Sequence, residues 1–236
     1  MTDRGEETRG EETLDADGEL LDEERELLAL DRFRASEHQL AGGATRGHTW
    51  MMIVGGALGV FSSIQLVLAE MELLGDPNAA LSCDISPVVG CGDSLGLWQS
   101  HLLFGRPNAV TGIAAFGMVA AVGVVFLAGA RVARWFWQLM AAVSLAGLAF
   151  VAWFEYQSLV NIRSLCPWCS VMWVVVIPLA FETLGRAAQA GHLPVGERVA
   201  RFLFGERRLL TIATFLVVIA LIVVAFWPQW RLLLGF

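Results

Sequence analysis

Five apolar runs, each long enough to cross lipid, decide what this chain can fold into. A hydrocarbon core about 30 Å thick takes roughly 20 residues at about 1.5 Å rise each. The runs fall at about 50–70, 109–130, 135–158, 168–184 and 209–228. Inside lipid a backbone must satisfy its own hydrogen bonds, so the expected fold is an all-α integral membrane protein. The composition agrees, with 56% hydrophobic and only 17% charged residues. The fourth run is the shortest, follows a cysteine pair and contains Pro178, which makes it a candidate for a kink. Trp50, Trp135, Trp137, Trp227 and Trp230 stand at run ends, where amphipathic rings favour the headgroup level. Gly55 and Gly59 form a G-x-x-x-G in the first run, read as close helix packing.

Ahead of these runs stands an acidic leader, 1–47. Its start (TDRGEETRGEET) is too polar to bury a core, so 1–18 is expected to be a disordered tail. Leucines and Phe33 between Glu19 and Leu40 fit an amphipathic helix at the membrane surface or a solvated one. The leader is too long and acidic for a secretory n-region, and the first run reads as an uncleaved signal anchor. The net charge of −7 reflects this leader, and no basic patch invites nucleic acid.

All 16 basic residues are arginine, and their placement sets an orientation. Arg32, Arg34, Arg46, Arg131, Arg134, Arg186, Arg198, Arg201, Arg207 and Arg208 lie in the leader and the two connections on its side. Arg106 and Arg163 alone occupy the opposite connections, with Arg231 on the carboxyl-terminal tail. An excess of arginine marks the cytoplasmic side. The amino terminus is therefore expected inside, and both cysteine-bearing loops outside, where disulfides persist.

Cys166-Pro167-Trp168-Cys169 opens the fourth run. Proline suits the first helical position, which puts Cys166 at the N-cap, facing free amides and the positive end of the helix dipole. That setting stabilises a thiolate. The same spacing also serves a static disulfide or half a zinc site. Cys83 and Cys91 lie in the first outer loop, where Pro87 and Gly90 let the chain fold back into a disulfide, either reactive or a plain staple. A four-cysteine zinc site would need short knuckle spacing at 83 and 91 and reduced thiols outside, so no metal is expected. His38, His48, His101 and His192 form no cluster and read as surface residues, with only His101 on the cysteine side. Glu155, near the outer end of the third run, reads as interfacial.

Two dithiol pairs on one face fit a relay, in which a loop pair meets a soluble dithiol and passes electrons to a helix-end pair touching a lipid-phase acceptor. A strongly oxidising thiol protein sits near about −120 mV, which glutathione cannot reoxidise and a membrane quinone can.

These residues resemble the bacterial branch of the vitamin K epoxide reductase family. The resemblance covers about 48–184 and rests on the loop pair, on Gly105-Arg106-Pro107-Asn108 before the second span, and on Leu165-Cys166-Pro167-Trp168-Cys169. It implies a four-helix bundle around a quinone of menaquinone or ubiquinone type, supplied with electrons by an extracytoplasmic thioredoxin-fold thiol oxidase. It further implies residence in the bacterial inner membrane and support of disulfide formation in exported proteins.

Carried over by motif, Cys169 lies beside the quinone ring, Cys166 exchanges with Cys91, and Cys83 meets the partner. Asn108 matches the asparagine that binds a quinone oxygen, although asparagine also favours helix N-caps. Trp173 stands where vertebrate members carry a tyrosine, and it offers no phenolic proton. Phe104 is a candidate wall of the quinone pocket. Ser94 and Ser100 are near the family's loop serine without matching its spacing. The expected organisation is a redox domain over 48–184, a basic connection over 185–208, and a fifth helix with a short tail over 209–236. The competing reading is a non-enzymatic membrane assembly or transport subunit with static disulfides.

Overall fold

The computed structural model describes residues 33–86, 88–102 and 105–229. The expected tail 1–18, most of the leader helix over 19–40, Phe104, Trp230 and Arg231 lie outside the described residues. The described part of the compact unit over Glu37–Phe236 is a set of helices. A single turn, α1 (Glu37–Leu40), precedes the long α2 (Arg46–Gly75). A short α3 (Gly92–Leu95) and a 3-10 turn (Trp98–His101) follow, then α4 (Asn108–Leu127) and α5 (Arg134–Tyr156). A π turn (Gln157–Ile162) prolongs α5, and α6 (Pro167–Gln189), α7 (Glu197–Gly205) and α8 (Arg207–Ala225) complete the unit.

Among the described residues five helices are long and apolar enough to cross a membrane. The protein is a multi-pass all-α membrane protein. Two spans exceed their apolar runs. The first ends at Gly75, because Glu70, Met71 and Glu72 are good helix formers that merely interrupt the hydropathy. The third reaches Ile162 through the π turn. Pro178 sits inside α6, where it leaves one carbonyl a turn earlier without its backbone donor.

α2 packs between α4 and α6, and α6 packs against α2, α5, α7 and α8, whereas α4 and α5 do not form a packed pair. The four helices thus make an arc with a slot between its ends. Small residues bring α2 and α4 together. A Cβ on Gly56 would stand 2.7 Å from the Ala120 amide nitrogen, and one on Gly59 would enter the Phe116 ring. The expected Gly55/Gly59 motif is split, since Gly55 faces Val175 of α6 while Gly56 and Gly59 face α4. Gly56→Leu is expected to force these helices apart and to lower thermal stability by about 3 kcal/mol or more, read by unfolding in detergent.

The end of the bundle away from the cysteines is held by polar contacts. Trp137 lies between His48 and His192, with ring centroids at 6.1 and 5.6 Å, and its indole N–H donates to the Gly42 carbonyl at 3.0 Å. Both histidines are buried, so they are not the surface residues expected. Glu182 accepts from Arg186 at 2.5 Å and from Arg207 at 2.7 Å, which ties α6 to the start of α8.

Glu155 also departs from expectation. It is only 6% exposed, and its Oε1 has no hydrogen-bond partner among the described residues. Val151 and Leu159, a turn to either side, share a cluster with Trp173, Val218 and Phe226. The π turn and α8 together cover a position that would otherwise be interfacial.

Candidate active site

The cysteines come together because two loops are stitched by their backbones. The Leu165 amide donates to the Val88 carbonyl at 2.8 Å, and the Gly90 amide donates to the Leu165 carbonyl at 3.1 Å. This pair of bonds sets Gly90-Cys91 alongside Leu165-Cys166. Arg163 makes the approach possible, since its left-handed conformation (φ 57°) ends the π turn and redirects the chain into α6.

Asp84 fixes the other side. Its Oδ1 accepts from the Cys91 amide at 2.8 Å and from the Gly92 amide at 3.2 Å. A Cβ at Gly90 would lie 2.6 Å from that carboxylate oxygen, so a larger residue there must displace Asp84 from the two amides. Ser94 Oγ donates to the Cys91 carbonyl at 2.9 Å, and Ser100 Oγ to the Ser94 carbonyl at 2.6 Å.

Cys83 and Cys91 are joined by a disulfide, while Cys166 and Cys169 are free thiols. Cys91 Sγ and Cys166 Sγ stand 3.5 Å apart. This is non-bonded contact, close enough for one sulfur to attack the other with little motion. The disulfide is enclosed by Leu66, Ala69, Leu81, Leu95 and Ala109, with Cys169 and Met172 packed against the same cluster.

Cys166 is the N-cap of α6 and Pro167 its first residue, as the spacing predicts. Its thiol is held below the ordinary range, chiefly by a hydrogen bond from Cys169, with the Cys169 and Trp168 amides adding to the effect and burial opposing it. A lowered pKa means that the thiolate forms at a lower pH than in a free cysteine. In a variant with Cys83 and Cys91 both changed to serine, the ultraviolet titration of Cys166 is expected to move to higher pH once Cys169→Ala is added.

Against this site lies a cavity of about 630 Å³ bounded by α2, α4, α5 and α6, within the usual range for small-molecule sites. It runs along α4 from Asn108 to Val122 and along α6 from Cys169 to Thr183, about 21 Å by helix rise. Glu70, Ser94, Ser100, Asn108 and Cys169 mark one end, and most of the remaining wall is apolar, including Phe116, Phe136 and Trp173.

Asn108 is the first residue of α4 rather than its cap. Its Nδ2 donates to the Gln99 carbonyl at 2.7 Å and its Oδ1 accepts from the Leu102 amide at 3.1 Å. It thereby ties the 3-10 turn to the mouth of the cavity, with one amide hydrogen left to offer. Trp173 is buried in the cavity wall. No group of His, Cys, Asp and Glu suited to a metal ion occurs among the described residues.

Sequence reasoning missed Asp84 and the pair formed by Glu70 and His101. His101 Nε2 lies 2.8 Å from Glu70 Oε1, and its Nδ1 lies 3.1 Å from the Leu97 carbonyl oxygen.

The family model for vitamin K epoxide reductases matches residues 50–184, more than half of the chain. The chain belongs to the vitamin K epoxide reductase family. No curated protein matches it closely enough to add a relative. The match begins in α2 and ends in α6, so in this vitamin K epoxide reductase family member the shared part is the four-helix arc enclosing the cavity. α7 and α8 lie beyond it. Membership makes the chain a membrane oxidoreductase, of a family that is in general quinone-linked and served by thioredoxin-like proteins.

Proposed function

We propose that this protein is a quinone-dependent thiol oxidase that draws electrons from a thioredoxin-fold dithiol protein outside the cell membrane and supports disulfide formation in exported proteins. The observation that carries the reading is the 3.5 Å contact between Cys91 and Cys166, with an oxidised loop pair on one side and free thiols on the other. A quinone of menaquinone or ubiquinone type fits the cavity. Its ring needs a few polar groups, which cluster beside Cys169, and its isoprenoid tail needs a long apolar trough, which the rest of the wall provides. The slot between α4 and α5 favours entry from the lipid.

The partner's thiolate attacks Cys83, Cys91 leaves as the thiolate, and the partner's second thiol resolves the mixed disulfide. The loop pair is then reduced and the partner oxidised. When Cys166 and Cys169 are themselves joined, the Cys91 thiolate attacks Cys166 and Cys169 leaves. Cys83 then attacks Cys91 and expels Cys166, which restores the loop disulfide and leaves the helix pair reduced. A bound quinone would supply a two-electron sink. Asn108 would orient its ring with the remaining amide hydrogen, Trp173 would wall it, and Cys169 would face it from the same end of the cavity. The arginine distribution supports an inside amino terminus and outer cysteine loops in a bacterial inner membrane.

Purified protein in detergent should oxidise a dithiol thioredoxin-fold protein and reduce a soluble quinone analogue in one-to-one ratio. Cys91→Ala, whose Cys83 is left as a free thiol, should trap a mixed disulfide with that protein when it is presented in its disulfide form. Cysteines whose redox state in membranes ignores quinone depletion would instead mark static disulfides and end this reading.

A further inference from the structure

Turnover moves two protons as well as two electrons, and the cavity holds little that can carry a proton. Among its described lining residues Glu70 is the only charged side chain and Cys169 the only other readily titratable one. Glu70 lines the cavity one turn beyond Leu66 and directly after Ala69, both of which pack with Cys166 and Ala109. It therefore stands at the end where Asn108 and Cys169 also line the wall. Its Oε1 is 2.8 Å from His101 Nε2, the side chains being 12% and 30% exposed respectively. One partner faces the cavity and the other reaches solvent at the cysteine end.

We propose that Glu70 and His101 form the proton route to the acceptor at the cysteine end of the cavity, Glu70 handing the proton on and His101 restoring it from solvent. This rests on the quinone-dependent reading above. The balance is simple. Cys166 reacts as the thiolate, its proton having left to the aqueous side, while Cys169 is a thiol. Forming the Cys166–Cys169 bond releases two electrons and the Cys169 proton. Quinol needs one proton more, which the doubly protonated His101 supplies through Glu70, Glu70 Oε1 taking it from Nε2 and handing it on. His101 then recovers its own proton from water.

The ring geometry suits that task. Both imidazole nitrogens face acceptors, Leu97 O and Glu70 Oε1, an arrangement in which the doubly protonated ring satisfies both. The Leu97 carbonyl first, and Glu70 after it, raise the His101 pKa above its ordinary value against the opposing effect of desolvation. Among the elements around the 98–101 turn, α2 supplies Glu70, α3 carries Asp93, α4 has no charged side chain, and α5 carries Glu155 two residues beyond Trp153, which meets Trp98. A raised pKa keeps the proton on His101 to higher pH, so quinol formation should fall as pH rises through that titration.

The test uses full-length protein bearing Glu70→Gln, Glu70→Asp or His101→Gln, with a soluble quinone analogue. Glu70→Gln should lower quinol formation on the order of 10²-fold and abolish the alkaline fall, while Glu70→Asp recovers part of both. His101→Gln should lower the rate and remove the pH dependence. Two readouts are independent of that activity. Analogue binding, followed by tryptophan quenching, and anaerobic exchange between a reduced dithiol protein and the loop disulfide should stay within a few-fold of wild type, and alkylation in membranes should show Cys166 and Cys169 accumulating as thiols. Unchanged rate and pH profile in Glu70→Gln would overturn the route, as would lost binding or exchange, which would make Glu70 structural. If wild type formed no quinol, the parent reading would fall with it, and that arm tells the two failures apart.

Discussion

Cys169→Ala is expected to lower quinone reduction on the order of 10³-fold or more while leaving the loop disulfide competent to oxidise one equivalent of dithiol. The reason is chemical. Cys166 would be left without the thiol that completes the second disulfide, and no other free cysteine exists among the described residues. Loss of a nucleophile that makes or breaks the covalent bond is among the largest single-residue effects known in enzymes. A second consequence separates this from simple misfolding. The Cys166 thiolate, 3.5 Å from Cys91, has no competitor in the variant, so attack on the loop disulfide should leave a fraction of molecules joined Cys91 to Cys166 with Cys83 free. Non-reducing peptide mapping reads that species. Wild-type turnover by Cys169→Ala would remove the helix pair from the pathway.

Gly90→Val should act almost as strongly without touching a sulfur. A Cβ at 90 lands 2.6 Å from Asp84 Oδ1, and that oxygen holds the Cys91 and Gly92 amides. Hydrogen bonds to a charged acceptor contribute about 1.5–3 kcal/mol each, so the loop must give up Asp84, the stitch to Leu165, or both. Cys91 then moves relative to Cys166. A displacement of roughly 1 Å costs on the order of 10²-fold in a positioned reaction. Single-turnover exchange between the two pairs is expected to slow by that factor, while the reaction of the loop disulfide with its dithiol partner stays within a few-fold. Equal slowing of both would assign Gly90 to loop folding alone. An unaffected transfer would mean that the stitch does not set the sulfur geometry.

The spans were legible because lipid imposes a length and an internally bonded backbone, and a run of apolar residues meets both conditions. The N-cap position of Cys166 was equally legible, since Pro167 fixes where a helix can begin. Burial by distant elements was not. Trp137 shields His48 and His192 from residues far along the chain, and α8 lies in the cluster that encloses Glu155, so no local pattern marks these polar residues as interior. The π turn left no signature either, as its residues, Gln157 to Ile162, fit an ordinary helix end.

At the site, spacing could pair Cys83 with Cys91 and Cys166 with Cys169, yet it could not bring the pairs together. That depends on backbone bonds between Val88–Gly90 and Leu165, across about 75 residues, and on a left-handed Arg163. The contact of Glu70 with His101 spans 31 positions with no motif to announce it. Nothing in the spacing sets Asp84 apart from other loop acids, and only the amide directions at 91 and 92 show it to be the post on which Cys91 hangs.

The electron path depends on one distance, which a double variant can interrogate directly. With Cys83 and Cys169 both changed to serine, the two thiols left among the described residues are Cys91 and Cys166, and mild oxidation in membranes should join them quickly and nearly completely, with no residual alkylation by mass. If both sulfurs instead stay open to alkylation, or join only between molecules, the loop and the helix end do not meet and the relay cannot operate.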